Sequence, residues 1–208
     1  MACKEMKIGI ITYSSSNTAN VKRLFNNVYK TEIIEIGEQK EATDILILPG
    51  VGNFEFVKNE LDKKGITKKF LSKNYKNIFG ICLGMHLLQK DSEESLNGMV
   101  NGFNFGKKSV TKIASKNTEK RVHTGWNFVK FVKKEMSFLN GYYYFSHSYG
   151  ILWTGEYDEL AYYEINNKKF VGVSNLHNRI GVQFHPELSG FKGKELVYFL
   201  LESEKLKY

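Results

Sequence analysis

A cysteine lies between two glycines in the segment GICLGMHLL, residues 80–88. An apolar, strand-like run ends at Cys82 and a helical pattern begins at once, so Gly80 and Gly84 remove Cβ atoms where the chain must turn sharply. This spacing, G-x-C-x-G, is the cysteine version of a nucleophile elbow. A thiol at the start of a helix is also favoured as the thiolate. We therefore predict that Cys82 is a nucleophile; the alternative is a buried cysteine beside packing glycines.

A nucleophile needs a base, and the base needs an orienting group, and both types occur in GVQFHPELSG, residues 181–190. Pro186 ends the strand pattern and biases His185 towards an extended conformation. His185 and Glu187 can then point to the same side, so that the carboxylate accepts from one ring nitrogen and the other nitrogen faces a thiol. The alternative is a surface turn, because H-P-E alone is weak evidence.

A glycine-rich loop follows another strand pattern in ILPGVGNF, residues 47–54. Gly50 and Gly52 carry no side chain, so this loop can bring backbone N–H groups against a developing oxyanion. The cysteine, the His-Glu pair and this loop each follow a predicted strand. Open α/β folds place their sites at the carboxyl edge of the sheet, and we expect the three segments to converge there.

The elements that must position these groups alternate in the first half of the chain. Strands are predicted at 7–12, 31–36, 44–50 and 77–82, and helices at 17–28, 54–64, 67–72 and 84–92. In the second half, short strands are predicted at 127–132, 142–149, 159–165, 169–176 and 179–184, with a final helix from about 190 to 205. This order predicts an α/β fold, one three-layer domain over 1–208 with a central mixed, mostly parallel sheet that a partly antiparallel segment extends.

Composition limits the classes of function. The 208 residues are 42% hydrophobic and 25% charged, and no apolar run reaches the roughly 18 residues of a membrane span. The net charge is +8, but the lysines are scattered and no stripe of basic and aromatic residues occurs, so we expect neither nucleic-acid nor membrane binding. No cluster of cysteine, histidine and carboxylate has zinc spacing, so no metal is predicted.

The N-terminal segment gives expectations about location. It lacks the pattern of a signal peptide, and Met6 is an alternative start because the regular pattern begins only at Lys7. Cys3 and Cys82 are the only cysteines, and Cys3 is expected in a frayed terminus. We therefore do not expect a disulfide framework, and we expect a reducing, cytoplasmic location.

Five segments occur in an order that resembles a known family: PGVGNF, GICLGM, HTGWN, FSHSYG and QFHPELSG. Over residues 7–202 the chain resembles the class I (triad) glutamine amidotransferases, which have a flavodoxin-like fold. The combination of H-x-G-W-N with H-S-Y is similar, more narrowly, to the glutaminase subunits of imidazole glycerol phosphate synthase in histidine biosynthesis. The resemblance implies an enzyme that hydrolyses glutamine to glutamate and ammonia and has no cofactor.

The resemblance also implies roles for individual residues. Cys82 would attack the side-chain amide of glutamine, form a glutamyl thioester and release ammonia. His185 would shuttle the proton and Glu187 would hold His185. The backbone N–H of Leu83 and the loop around Val51 would form the oxyanion hole.

The glutamine pocket and the partner follow from the same resemblance. The pocket would be lined by Gly50, Gly52, His86, Ser146, His147 and Ser148. The ammonia would pass through a tunnel into a separate (β/α)8-barrel synthase subunit, with which the chain would form a heterodimer. Trp126, beside the glycine of HTGWN, is predicted to lie at that interface; the alternative is an ordinary core tryptophan. His123 is expected to be structural or pocket-lining, and His177 to be a loop residue.

Two residues and two segments depart from the family pattern. His86 stands where the family usually has glutamine, and Leu188 where it often has a lysine that faces the synthase. YSSSNTAN follows the first strand in place of a glycine-rich loop, and GFNFGKKSV, residues 102–110, replaces a more apolar segment. These departures leave open a related subunit that supplies ammonia for the amidination of a surface sugar. A cysteine peptidase or chaperone-like relative and an inactive binding module are further alternatives.

Overall fold

The computed structural model describes residues 6–28, 32–36, 43–96, 98–113 and 122–202. Cys3 and the last residues of the predicted C-terminal helix lie outside this part of the chain. The strands are β1 (Lys7–Ile11), β2 (Glu32–Ile36), β3 (Ile45–Leu48), β4 (Asn77–Ile81), β5 (Asp91–Ser92), β6 (Val100–Asn101), β7 (Ser109–Lys112), β8 (His123–Phe131), β9 (Gly141–His147), β10 (Tyr149–Gly150), β11 (Glu159–Ile165), β12 (Lys168–Asn175) and β13 (Arg179–Val182). The α-helices are α1 (Thr18–Val28), α2 (Phe54–Lys63), α3 (Lys68–Asn74), α4 (Leu83–Leu87) and α5 (Gly190–Glu202). Two 3-10 helices cover Lys134–Leu139 and Pro186–Leu188.

A mixed sheet runs through the centre of the fold. Within the described residues it has nine strands in the order β2-β1-β3-β4-β13-β12-β11-β8-β9. Neighbours from β2 to β13 pair in parallel, and neighbours from β13 to β9 pair antiparallel. The prediction of an α/β fold whose parallel sheet continues into antiparallel strands is confirmed.

Alternation along a buried strand explains the helical layers on both faces of the sheet. In β3, Ile45 and Ile47 face the core that also contains residues of α1 and α5. Leu46 and Leu48 face the other way, into the core that contains residues of α2, α3 and α4. Since successive side chains of a strand point to opposite faces, a strand without polar residues requires apolar cover on both sides. The result is the predicted three-layer arrangement.

The helix predicted over 84–92 is wrong beyond Leu87. The N–H of Phe103 donates to the carbonyl of Leu87 at 2.7 Å, and the N–H of Phe105 donates to the carbonyl of Leu88 at 3.0 Å. The following segment thus takes carbonyls that a longer helix would use. The chain leaves the helix and forms a second sheet, β10-β7-β5-β6, whose strands are only two to four residues long.

The strand predicted at 127–132 begins earlier and occupies His123–Phe131. It pairs with β9 from His123 opposite His147 to Val129 opposite Gly141. This pairing forms one end of the central sheet. Exposed residues of β8 alternate with partly buried or buried ones, so one face of the strand is open to solvent.

Candidate active site

Cys82 lies in a strained turn between β4 and α4. Its backbone has φ 46° and ψ −102°, a conformation that residues with a Cβ rarely adopt. A Cβ on Gly80 would lie 2.6 Å from the carbonyl carbon of Gly84, and one on Gly84 would clash with the carbonyl oxygen of Leu48. Both glycines are therefore required for the helix to start this close to the strands. The thiol is free and buried.

His185 and Glu187 form a hydrogen-bonded pair after β13. His185 Nδ1 lies 2.8 Å from Glu187 Oε1, and both side chains are buried. The backbone of His185 is fixed as well, because its N–H donates to the Tyr144 carbonyl at 2.8 Å and its carbonyl accepts from Ser189 Oγ at 2.6 Å. A carboxylate only accepts, so Nδ1 carries a proton and Nε2 faces away from Glu187.

Nε2 is the ring nitrogen of His185 that Glu187 does not use. Within the described residues, His185 Nε2 is buried and has no hydrogen-bond partner. Burial lowers the pKa of His185, but Cys82 and the Glu187 carboxylate outweigh burial and raise this pKa to about 10. The site therefore favours the imidazolium form of His185 beside the Cys82 sulfur.

The glycine loop after β3 packs directly onto the cysteine. A Cβ on Gly50 would lie 2.8 Å from the Ile81 carbonyl oxygen and 3.1 Å from Cys82 Cβ. Burial and the nearby Cys82 raise the pKa of Tyr13, whose hydroxyl donates to the Pro49 carbonyl at 2.6 Å. Tyr13 therefore holds the start of the glycine loop in place.

These segments surround one cavity of about 460 Å³. The predicted residues that line it are Gly50, Val51, Gly52, Cys82, Leu83, His86, Ser146, His147, Ser148, His185 and Glu187. Trp126 lies outside the cavity on the surface, 57% exposed, with its ring in edge contact with Tyr144, which does line the cavity. The alternative of a core tryptophan is wrong. Leu188 is also exposed and lies at the cavity's edge.

His123 and His147 form a chain of neutral rings beside the cavity. His147 Nδ1 donates to the Tyr149 carbonyl at 2.8 Å, so His147 Nε2 accepts from His123 Nδ1 at 3.0 Å. Asn127 donates to His123 Nε2 at 3.3 Å. Burial lowers the pKa of His123 to about 4 and that of His147 well below its usual value. All four ring nitrogens are occupied, which fits the prediction that these histidines are structural or line the pocket.

Sequence reasoning missed Glu94. This residue lines the cavity, and its Oε2 accepts from the backbone N–H of Phe54 at 3.3 Å. Burial raises the pKa of Glu94 to about 7, against the opposing effect of the Phe54 N–H. The segment DSEESLNG has the composition of a solvated loop, so only the three-dimensional fold distinguishes Glu94 from its neighbours.

Gln183 was missed too. It is fully buried, and its Nε2 lies 3.7 Å from Cys82 Sγ while its Oε1 lies 2.8 Å from His86 Nε2. A glutamine between valine and phenylalanine in a buried strand is a signal in the sequence, since a buried amide must find polar partners. The sequence does not show which residues those partners are.

Two kinds of feature are absent from the described part of the chain. No group of three or more histidine, cysteine, aspartate or glutamate residues in it is placed to hold a metal ion. No helix in it is both long and apolar enough to cross a bilayer.

Comparison with known proteins relates this geometry to a family. The sequence model of the family "Glutamine amidotransferase class-I" matches residues 3–201. "Imidazole glycerol phosphate synthase subunit HisH 2" of Methanococcus maripaludis is 35% identical over 199 residues, covering 91% of this chain and 96% of its own. The subunit HisH of Methanocaldococcus jannaschii is 34% identical, covering 94% and 98%.

Solved structures share the fold. A crystal structure described as a glutamine amidotransferase superposes with a TM-score of 0.70 at 17% identity, covering 94% of this chain and 97% of its own. A chain in the structure of PurLQS from Thermotoga maritima gives a TM-score of 0.66 at 13% identity, covering 95% and 98%. With the family match over nearly its whole length, the chain belongs to the class I glutamine amidotransferases.

Proposed function

We propose that this chain is the glutamine amidotransferase subunit of an imidazole glycerol phosphate synthase and acts in histidine biosynthesis. The observation that carries the proposal is the convergence, at one cavity, of a strained cysteine and a buried His185–Glu187 pair. The names and high coverage of the HisH relatives support the pathway. Cys82, His185 and Glu187 form the catalytic triad of this proposal.

The first half of the reaction forms a thioester. The Cys82 thiolate attacks the side-chain carbonyl carbon of glutamine, and a C–S bond forms while the carbonyl oxygen takes the negative charge. When the C–N bond breaks, the His185 imidazolium gives its Nε2 proton to the leaving nitrogen, and ammonia departs. Glu187 keeps Nδ1 protonated and the ring oriented throughout.

The second half returns the enzyme to its starting state. Neutral His185 takes a proton from water at Nε2, and the oxygen of that water attacks the thioester carbonyl. The C–S bond breaks, glutamate leaves, and the thiolate and imidazolium are restored. Both tetrahedral intermediates need donors for their oxyanion, and the backbone N–H groups of Leu83 and Val51 take this role.

The Val51 donor explains why a partner is needed. The Tyr13 hydroxyl holds this loop at the Pro49 carbonyl, and we infer that the Val51 peptide rotates before its N–H serves an oxyanion. One oxyanion donor is worth roughly 10² to 10³ in rate. We infer that a (β/α)8-barrel synthase subunit, bound as a heterodimer with Trp126 at the interface, favours the rotated peptide and receives the ammonia through a tunnel.

Glutamine itself carries an ammonium group that the pocket must hold. Glu94 is a carboxylate at the cavity wall, and a bound ammonium would favour its ionised form. Ser146, His147 and Ser148 line the same cavity beside Cys82. We assign Glu94 to the α-amino group and the 146–148 segment to the wall of the pocket.

The test combines one substitution with one electrophile. Cys82→Ser should abolish glutamine hydrolysis, whereas Cys3→Ser should leave the activity unchanged. A diazoketone analogue of glutamine should add its mass to Cys82. Labelling confined to Cys3, or hydrolysis that persists in Cys82→Ser, would refute the assignment. The same assay with the barrel subunit, empty or loaded with its own substrate, tests the switch; full activity of the chain alone would exclude it.

A further inference from the structure

The Gln183 side chain places a hydrogen-bond donor next to the Cys82 sulfur. Its Nε2 lies 3.7 Å from Cys82 Sγ, and the residue is fully buried two positions before His185. A second neighbour of the sulfur is an acceptor, the Ser146 carbonyl, 3.9 Å from Sγ. A thiolate would gain from the Gln183 donor and nothing from the carbonyl, so the direction of the Gln183 amide matters.

His86 determines that direction. Its Nε2 lies 2.8 Å from Gln183 Oε1, and an amide oxygen can only accept, so His86 Nε2 carries the proton. His86 is 3% exposed, and burial lowers its pKa to about 4, so the ring stays neutral near pH 7. With His86 in this tautomer, a flipped Gln183 amide would set its NH₂ group against the His86 N–H and lose this bond; a flip also requires the imidazole proton to move to Nδ1.

We propose that His86 is a positioning residue that acts through Gln183: it locks the amide so that the Gln183 N–H donates to the Cys82 sulfur. The proposal deepens the proposed function, because it rests on Cys82 as the nucleophile. A hydrogen bond to a charged group is stronger than one between neutral groups, so the lock favours the thiolate before glutamine binds. It also favours sulfur as the leaving group when the thioester is hydrolysed.

A histidine and a glutamine at position 86 would differ in one respect. A glutamine side chain offers either its oxygen or its NH₂ group to a neighbouring amide. A neutral histidine with its proton on Nε2 offers only a donor at that atom. In the tautomer with its proton on Nε2, His86 therefore sets the polarity of the His86–Gln183–Cys82 chain.

The state of the sulfur can be measured without glutamine. In a Cys3→Ser background, the rate of alkylation by iodoacetamide is followed from pH 4 to pH 10, since the thiolate is the reactive form. His185, Tyr13 and Tyr163 also interact electrostatically with Cys82, and all three stay unchanged in every variant. The compared variants are His86→Leu, Gln183→Leu, the double variant and His86→Gln, each checked for folding by thermal denaturation.

His86→Leu should move the midpoint of the alkylation profile up by about 0.5 to 1 pH unit, with about 3- to 10-fold slower alkylation on its acid side. Gln183→Leu should give the same shift. Because His86 acts through Gln183, the double variant should show no additional shift, and His86→Gln should recover part of the parent profile. An unchanged midpoint in folded His86→Leu, or additive shifts in the double variant, would overturn the proposal.

Glutamine kinetics separate positioning from direct binding. Positioning predicts that kcat of His86→Leu falls about tenfold while KM changes little. A raised KM with an unmoved alkylation profile would mean that His86 touches glutamine itself, which overturns the proposal. Failure of the proposed function is a different result: glutamine hydrolysis by Cys82→Ser would remove Cys82 as nucleophile, while the alkylation profiles would still report on His86 and Gln183.

Discussion

The parallel and the antiparallel halves of the central sheet differ in the residues that they place at or near the site. Three neighbouring parallel strands, β3, β4 and β13, each end in a chemical group: the glycine loop, Cys82 and His185. The antiparallel strands β8 and β9 present aromatic pairs on a surface, and of the two only β9, at Tyr144, Ser146 and His147, also lines the cavity. Trp126 lies opposite Tyr144 and Phe128 opposite Tyr142, each pair in edge contact.

Strand direction explains the difference. Parallel strands all bring their carboxyl ends to one edge, so loops from distant parts of the chain meet there. Antiparallel neighbours end on opposite edges, so they cannot converge in this way, but one of their faces can stay open to solvent. Tyr144 connects the halves, because its carbonyl accepts from the His185 N–H while its ring contacts Trp126.

The largest effect should come from the parallel half. His185→Ala should lower kcat for glutamine hydrolysis by about 10³-fold or more, because thiol activation and leaving-group protonation both use Nε2. Glu187→Gln should cost less, since backbone hydrogen bonds still hold His185 in place. Steady-state kinetics of the partner complex measure both variants. A fully active Glu187→Gln would reduce Glu187 to a turn residue.

The second effect concerns the geometry of the elbow. Gly84→Ala should destabilise the fold by about 3 kcal/mol, since its Cβ would meet the Leu48 carbonyl oxygen, which is backbone and cannot move aside cheaply. The thermal midpoint should fall by roughly 6 to 12 °C. Gly141→Ala is the matched control, because its Cβ would meet only the Lys192 side chain at 3.4 Å. Equal midpoints for the two variants would contradict the steric account.

The elbow could be predicted from sequence because its cause is local. A strand pattern, a cysteine and two glycines are adjacent in the chain. Together they predict a sharp turn between the strand and the following helix. The His185–Glu187 pair was predictable for the same reason, through Pro186. The convergence of these segments needed only the rule for parallel strands.

Other features depend on contacts between distant segments. Helix α4 ends at Leu87 because residues 103–106 take its carbonyls, and no local signal marks that end. The sequence left the exposure of Trp126 open because β8 has aromatic residues on both faces: Trp126 and Phe128 are exposed, whereas Phe131 is buried. The partners of Gln183 follow from the distance between β13 and α4, which the sequence does not contain.

A third prediction tests the antiparallel half. Trp126→Ala should weaken binding of the barrel subunit by about 10- to 30-fold, as expected for a central aromatic residue at an interface. Glutamine hydrolysis without the partner and the thermal midpoint should change little, since the side chain is 57% exposed. Isothermal titration with the barrel subunit gives the affinity. Tyr157→Ala, which removes an aromatic that is 73% exposed elsewhere, is the control. Equal losses in both variants would mean that β8 has no special part in binding.

The smallest effect sharpens the comparison, because Glu94 belongs to neither half of the central sheet but to the loop between β5 and β6. Its pKa of about 7 lies above the ordinary value, so its carboxylate is lost as the pH falls from 8 to 6. A neutral carboxyl holds an ammonium less well, so KM for glutamine should rise about three- to tenfold over this range. Glu94→Gln should raise KM about tenfold at pH 8 and remove most of the dependence on pH. Glu93→Gln is the control, since that exposed carboxylate accepts from the Lys112 N–H and does not line the cavity. An unchanged KM in Glu94→Gln would leave the recognition of glutamine to the two halves of the central sheet alone.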